Sequence, residues 1–445
     1  MPALLPDGEP VPADGALPAP ALAALRRDHS ASVTASRATD AFGVYVHVPY
    51  CATRCGYCDF NTYTPAELGI VTTGQQGGGA AAPRENPKPP QAAGSDIDSY
   101  LSAVLAEIEH AAVVLDPAGE HGLPAIDTVF FGGGTPTLLP SSHLAAIVAR
   151  LDAVFGLAPG AEVSTEANPE SVDSAGLAAF VEAGFTRISL GMQSAATAVL
   201  ATLDRRHTPG AAVAAVAQAR AAGFCHVNLD LIYGTPGETD ADWRASLSAV
   251  VAAEVDHVSA YSLTVEPGTA LARRVKTGVL TPPDDDVMAD RYHVAEQMLG
   301  EAGLSWYEIS NWATNPAARC RHNQLYWRGG SWWGFGPGAH SHVGGVRWWN
   351  VKHPAAYAAR LAAGVSPAQA REVLTVAQRR TEDVMLRLRL VTGFPLEELD
   401  DRGRHGAQRA CGDGLLEPAA HRSGRAVLTL RGRLLADRVV GLLSP

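Results

Sequence analysis

The chain has 445 residues, with 35 Lys and Arg against 46 Asp and Glu, a formal net charge of −11. That balance argues against general nucleic-acid binding, which needs a basic surface. Hydrophobic residues at 47% and charged residues at 18% are ordinary for a globular chain, here long enough for two or three domains. Three of the six cysteines lie close together and three (Cys225, Cys320, Cys411) are scattered. This is no disulfide framework and fits a reducing compartment. No apolar run reaches membrane-spanning length, and no basic segment precedes an apolar core at the N-terminus. The expectation is a cytoplasmic protein with no nucleic-acid partner and at most peripheral membrane contact.

Residues 1–42 are rich in Pro and Ala without a sustained period, and read as a mostly disordered tail with a short helix near Ala21–Arg27. From Gly43 strands and helices alternate. Val44–Val48 is the first strand, and a loop with Cys51, Cys55 and Cys58 follows it. Residues 69–94, studded with Gly and Pro, read as a flexible insertion. A helix then carries Ile97, Leu101, Val104, Leu105, Ile108, Ala112 and Leu115 at steps of three and four, with Ser95 or Asp96 as its cap. Further strands are read at Asp127–Phe131, Glu162–Ala167, Thr186–Leu190, Val227–Tyr233 and Asp256–Leu263, with helical stretches between them.

This alternation means parallel strands with right-handed crossovers, and six units are too few for a closed eight-fold barrel. Ligands in such folds sit at the C-terminal ends of strands. The Gly-rich and polar stretches all fall there. The expected organisation is a barrel core over 43–310, a His- and Trp-rich segment over 311–370, and a small helical, winged-helix-like domain over 371–445.

Cys51, Cys55 and Cys58 stand at C-x3-C-x2-C. Thiolates are soft ligands that suit iron–sulfur clusters, zinc or Cu(I). Three cysteines leave one iron of a four-iron cluster open for a small chelating molecule. Structural zinc wants four ligands, often as two distant C-x2-C pairs, and no second pair is present. Gly132-Gly133-Gly134-Thr135 follows the second strand, where missing Cβ atoms let backbone approach a ligand. Glu166, Gln193 and Asp230 close the third, fourth and fifth strands. Asp230 lies in an apolar run where an unpaired charge is costly, so it needs a partner, for which Arg205 is one candidate.

The cysteine spacing resembles the signature of the radical S-adenosylmethionine (SAM) superfamily, which implies a [4Fe-4S] cluster whose open iron binds SAM and an open six-unit βα barrel. The runs Tyr45–Pro49, Gly132–Thr137, Gly191–Ser194 and Asp230–Gly234 further resemble the oxygen-independent coproporphyrinogen oxidase family. That resemblance implies SAM contacts at Tyr45, Gly133, Gly134, Thr135, Glu166, Gln193, Arg205 and Asp230. Phe60 stacks on the adenine or covers the cluster from water in this reading.

Phe60 also stands where the oxidases carry a fourth cysteine, and His322-Asn323-Gln324-Leu325-Tyr326-Trp327 resembles a motif of the haem-chaperone branch, HemW. Both favour that branch over the oxidase. Imidazole is a usual axial ligand of haem iron. His322 is therefore the expected haem ligand, with Tyr326 and Trp327 along the porphyrin and Arg319, Arg321 and Arg328 near its propionates; the bland alternative is a core histidine among packing aromatics. The expected function is a haem chaperone that hands haem to an acceptor protein not identified by the sequence. The alternatives are an oxidase that decarboxylates coproporphyrinogen III and a plain iron–sulfur protein.

Overall fold

The computed structural model describes residues 8–30, 41–69, 97–205, 208 and 210–444. The expected insertion at 69–94 and the cap at Ser95 or Asp96 lie outside these residues, save for Gly69.

Six strands run parallel in sequence order: β1 (Phe42–Val48), β2 (Ile126–Gly133), β3 (Leu157–Ala167), β4 (Arg187–Gln193), β5 (His226–Tyr233) and β6 (His257–Ser262). They are the strands read from the sequence, extended by a residue or more at several ends. Their β-branched and aromatic residues suit a pleated surface buried on both sides, as in β1, where only Tyr45 is not fully buried. Crossover helices cover the outside. The helix Ile97–Leu115 turns Tyr100, Val104, Ile108, Ala111 and Leu115 inward at steps of three and four. Thr239 and Asp242 form a reciprocal capping box on the helix after β5.

The sheet does not stop at six strands. It has twelve, in the order β12-β11-β10-β9-β1-β2-β3-β4-β5-β6-β8-β7, and stays open between β12 and β7. Here β7 is Ser305–Glu308, β8 Asn311–Ala313, β9 Ser331–Phe335, β10 His340–Val343, β11 Val346–Asn350 and β12 Ala368–Val373. β9 joins β1 in parallel and β10–β12 continue antiparallel, so the His- and Trp-rich segment extends the barrel sheet instead of standing apart. Trp333, Phe335, Val343 and Trp348 share the barrel's core. After β12 a smaller core of its own holds Val384, Leu388, Phe394, Leu416 and Val439, built by helices and a short antiparallel pair, Phe394–Pro395 with Arg425–Ala426.

The N-terminal stretch differs from the disordered tail expected. Glu9 pairs with the edge strand β12 through main-chain bonds to Arg371 in both directions (2.7 and 3.0 Å), and the Arg371 guanidinium reaches the Glu9 carboxylate at 2.7 Å. The helix Ala19–Ser30 buries Ala21, Leu22 and Leu25 in the core. Pro and Ala obscured this because edge pairing uses the backbone and needs no apolar period.

Glu107, fully buried on the helix Ile97–Leu115, ties that helix to the extension. It accepts from the Gly336 N–H (2.9 Å), from Asn350 Nδ2 (2.8 Å) and from the Tyr357 hydroxyl. Burial pushes its carboxyl from 4.5 up to about 7, against the pull of these donors. The folded value lies above the unfolded one, so this group stabilises the fold most below about pH 4.5, and that contribution is lost as pH rises to about 7. Thermal melts from about pH 5 to about pH 8 should therefore fall less steeply for Glu107→Gln than for the wild type; parallel falls would refute this.

Candidate functional site

The C-terminal ends of the parallel strands open into a cavity of about 920 Å³. The expected cluster and SAM residues line it, and so does His322. The thiols of Cys51, Cys55 and Cys58 are there with Tyr45 and Phe60. So are Gly133, Gly134 and Thr135, then Glu166, Gln193, Arg205 and Asp230, and His322.

The cysteine loop is held by its backbone. Cys51 N–H donates to Tyr63 O (3.0 Å), Cys58 N–H to Cys55 O (3.2 Å) and Gly56 N–H to Leu203 O (3.0 Å). The Gly-rich turn locks onto it, with Gly134 N–H on Val48 O and Thr135 N–H on Tyr50 O, both 2.8 Å. A Cβ at Gly134 would sit 2.3 Å from Tyr50 O and 3.0 Å from Cys51 Sγ. Only glycine fits between strand and thiol. Gly133 has φ +110°, and a Cβ there would strike the His47 ring at 2.6 Å. Burial pushes the Cys58 thiol up to about 11 and raises Cys51 as well. These thiols need an electropositive centre beside them to become thiolate ligands, and a bound metal does that. The Arg205 guanidinium lies 3.6 Å from Cys55 Sγ and 3.1 Å from Gly191 O. Gln193, at φ +64°, ends β4 in the left-handed region next to a bulge. Phe60 is 58% exposed at the rim.

Two carboxylates face the cavity from the barrel wall. Glu166 accepts from the Gly133 N–H at 3.1 Å. Burial first, then the nearby Asp230, push its carboxyl up to about 8. Asp230 is also raised, chiefly by burial. Its expected partner, Arg205, makes no direct bond to it; Ser189 Oγ and Asn228 Nδ2 do, each at 2.7 Å. Tyr45 stacks on Phe130 (centroids 6.4 Å apart) and its hydroxyl meets His47 Nδ1 at 3.0 Å.

His322 lies at the cavity's other end, on the short helix Arg321–Trp327. It is 1% exposed and stacked on Phe130. Nδ1 lies 2.8 Å from Thr128 Oγ1 and Nε2 2.8 Å from the Tyr326 hydroxyl. Burial lowers it to about 3, so it is neutral. His322 and Tyr326, four apart, line the cavity together with Asn323, and Asn323 and Trp327 both approach Glu308, whose carboxyl burial raises to about 8. Glu162 accepts from the first N–H groups of the helix, Arg321 (2.9 Å) and His322 (3.2 Å), and pairs with Arg187 at 3.0 Å.

The arginines and Trp327 expected around a porphyrin do not line the cavity. Arg321 reaches Gly160 O (2.7 Å), Arg328 reaches Gln324 (2.8 Å), and Arg319 lies over the Tyr307 ring. In a helix Arg321, Trp327 and Arg328 point away from the face of His322, and Arg319 precedes the helix.

His47, Ser189, Asn228, His257, Ser259 and Tyr261 escaped the sequence reading, though all but His47 line the cavity. The signal was present. A strand's period of two puts His47 on the face of Tyr45, Asn228 on that of Asp230, and His257, Ser259 and Tyr261 on one face of β6.

Residues 45–250 match the family model described as Radical SAM superfamily. "Heme chaperone HemW" of Mycobacterium tuberculosis is 52% identical over 402 residues, covering 90% of this chain and 94% of that relative. The protein of the same name from Bacillus subtilis is 29% identical over 405 residues, covering 89% and 97%. The solved structure of coproporphyrinogen III oxidase (HemN) from Escherichia coli superposes with a TM-score of 0.72 over 95% of this chain and 92% of that one; at 22% identity it shows a shared fold. With cysteine loop, open barrel and half its residues in common with a relative across nine-tenths of its length, the chain belongs to the HemW family of radical SAM proteins.

Proposed function

We propose that the chain is a haem chaperone that carries a [4Fe-4S] cluster on Cys51, Cys55 and Cys58, binds SAM along the strand ends, and passes haem to an acceptor protein. The observation that carries this is one large cavity, with three thiols at one end and His322 at the other. Among the described residues no three Cys, His, Asp or Glu side chains converge on one point, as a lone zinc would need. Separate thiols around one loop suit a cluster, in which each meets a different iron. Cys51, Cys55 and Cys58 would hold the cluster, which would supply one-electron reduction to a SAM molecule bound at its open iron. The protein's own part is to hold the loop, to place Arg205 beside Cys55, and to set Glu166 and Asp230 where a cationic ligand relieves their mutual repulsion.

The lining disfavours the oxidase. Its carboxylates are Asp59, Glu166, Glu170, Asp230 and Glu266, and its arginines are already engaged: Arg54 with Glu67, Arg187 with Glu162 and Arg205 with Gly191 and Cys55. Coproporphyrinogen III, with four propionates, meets more repulsion here than haem, with two. For haem, ligation at His322 Nε2 would displace the Tyr326 hydroxyl and leave Nδ1 held by Thr128, the outer-shell bond that fixes a ligating imidazole.

Anaerobic reconstitution should give about four iron and four sulfide per chain, and Gly134→Ala should lower both sharply by displacing the loop; full loading of that variant would count against the cradle. Haem titration should yield a Soret band that His322→Ala loses. Tyr326→Phe, freed of a competing bond worth about 1 kcal/mol, should bind haem severalfold more tightly. Equal affinity in all three proteins returns His322 to core packing. Incubation with coproporphyrinogen III, SAM and reductant should leave the porphyrinogen unchanged, and protoporphyrinogen formation would overturn the chaperone reading.

A further inference from the structure

An unbroken line of buried hydrogen bonds runs from the helix Arg321–Trp327 to Asp230. Cys320 N–H, at the start of that helix, meets the Tyr307 hydroxyl at 3.2 Å. The same hydroxyl lies 2.8 Å from His257 Nε2. His257 Nδ1 lies 2.7 Å from Asn228 Oδ1, and Asn228 Nδ2 lies 2.7 Å from Asp230 Oδ1. Tyr307, His257, Asn228 and Cys320 are all at most 3% exposed. His257, Asn228 and Cys320 also line the cavity.

The ends of this chain give it one direction. A backbone N–H can only donate, and an ionised carboxylate can only accept. Asp230 therefore takes the amide N–H of Asn228, which turns Asn228 Oδ1 toward His257. His257 must then carry its proton on Nδ1 and accept at Nε2. Tyr307 donates to that nitrogen while its oxygen accepts from Cys320. Every bond points its donor toward Asp230, and bonds in such a series polarise one another. Burial and the nearby Arg187 charge keep His257 neutral, as the arrangement needs.

We infer that His257 and Tyr307 are positioning residues for Asp230: they set the Asn228 amide so that its N–H faces the carboxylate and holds it ionised for a cationic ligand. This rests on the reading of Asp230 as part of the SAM site. Asn228 Nδ2 also reaches the Ser189 and Ser259 hydroxyls, which can donate as well as accept, so His257 is the partner that distinguishes the two ends of the amide; without it Oδ1 can turn against the carboxylate. The other titratable or charged groups facing Asp230 are Glu166 from β3, Arg205 after β4 and Tyr261 from β6. None of them contacts the Asn228 amide in the hydrogen bonds described, so their effect is the same with and without the chain.

The test is SAM affinity as a function of pH in the cluster-loaded protein, for wild type, His257→Leu, Tyr307→Phe, His257→Gln and Asp230→Asn. Cluster absorbance and melting temperature establish that each variant is folded. Removing a donor that favours the charged carboxylate moves its protonation to higher pH. His257→Leu should thus show a SAM-affinity profile displaced upward by about one pH unit, a loss approaching tenfold on the acid side of the transition, and should regain affinity as pH rises. Tyr307→Phe should move the profile in the same direction by less, and His257→Gln, which keeps a donor, should restore part of the loss. An unshifted profile in His257→Leu, or a loss equal at every pH, would overturn the inference. If that happens while Asp230→Asn still weakens SAM binding, the SAM-site reading stands and only the positioning role fails. Wild-type affinity in Asp230→Asn would instead refute the SAM-site reading and the inference with it.

Discussion

Two carboxylates in the barrel interior govern how the rest of the site is built. Glu166 and Asp230 lie close enough for each to oppose the other's ionisation, and among the described residues neither has an ion-pair partner. Carboxylates withdrawn from water are tolerated when donors surround them. Gly133 gives a backbone N–H to one; Ser189 and Asn228 serve the other. The glycine that serves Glu166 belongs to the turn that locks the cysteine loop. The amide that serves Asp230 belongs to the polar line that reaches the His322 helix. The same carboxylates thus connect both ends of the cavity.

The second anchoring point is Glu162 with Arg187. This buried pair lies on β3 and β4 and receives the N-terminal N–H groups of the helix that carries His322. A carboxylate at a helix N-terminus is favourable electrostatically as well as by hydrogen bonding. Arg187 adds bonds to Ala318 O (2.9 Å) and Arg319 O (3.2 Å), so the barrel grips the chain on both sides of Cys320. The seating of the helix is therefore a property of the barrel wall and not of the helix, which at seven residues has little stability of its own.

The six parallel strands were legible because each is an apolar, β-rich run that stops at glycine or a polar residue. The residues at those stops fall together in one cavity because a parallel barrel puts all such ends on one face. The outer strands were obscured for a different reason. Ser331–Phe335, His340–Val343 and Val346–Asn350 are short and crowded with His and Trp, side chains that invite a chemical reading before a packing one. The faces of the His322 motif depended on its being a helix, which six residues of mixed chemistry do not dictate. Once it is helical, 3.6 residues per turn puts His322 with Tyr326 and turns Arg321 and Arg328 elsewhere. Asp230's true partner was within reach, since Asn228 is its neighbour on the same strand face.

The Glu9 bridge to Arg371 joins residues 362 apart in the chain, and β1 takes its parallel neighbour β9 from nearly 300 residues downstream. During synthesis, which proceeds from the N-terminus at roughly 5–20 residues per second, β1 can pair with β2 early, but its other edge and the segment around Glu9 wait for most of the chain to emerge. The sheet therefore grows first through β2 to β6 and is completed backward across β1. An unpaired strand edge invites pairing with another chain. The half-made protein carries such an edge on β1, beside the cysteine loop, until its own later strands arrive to cover it.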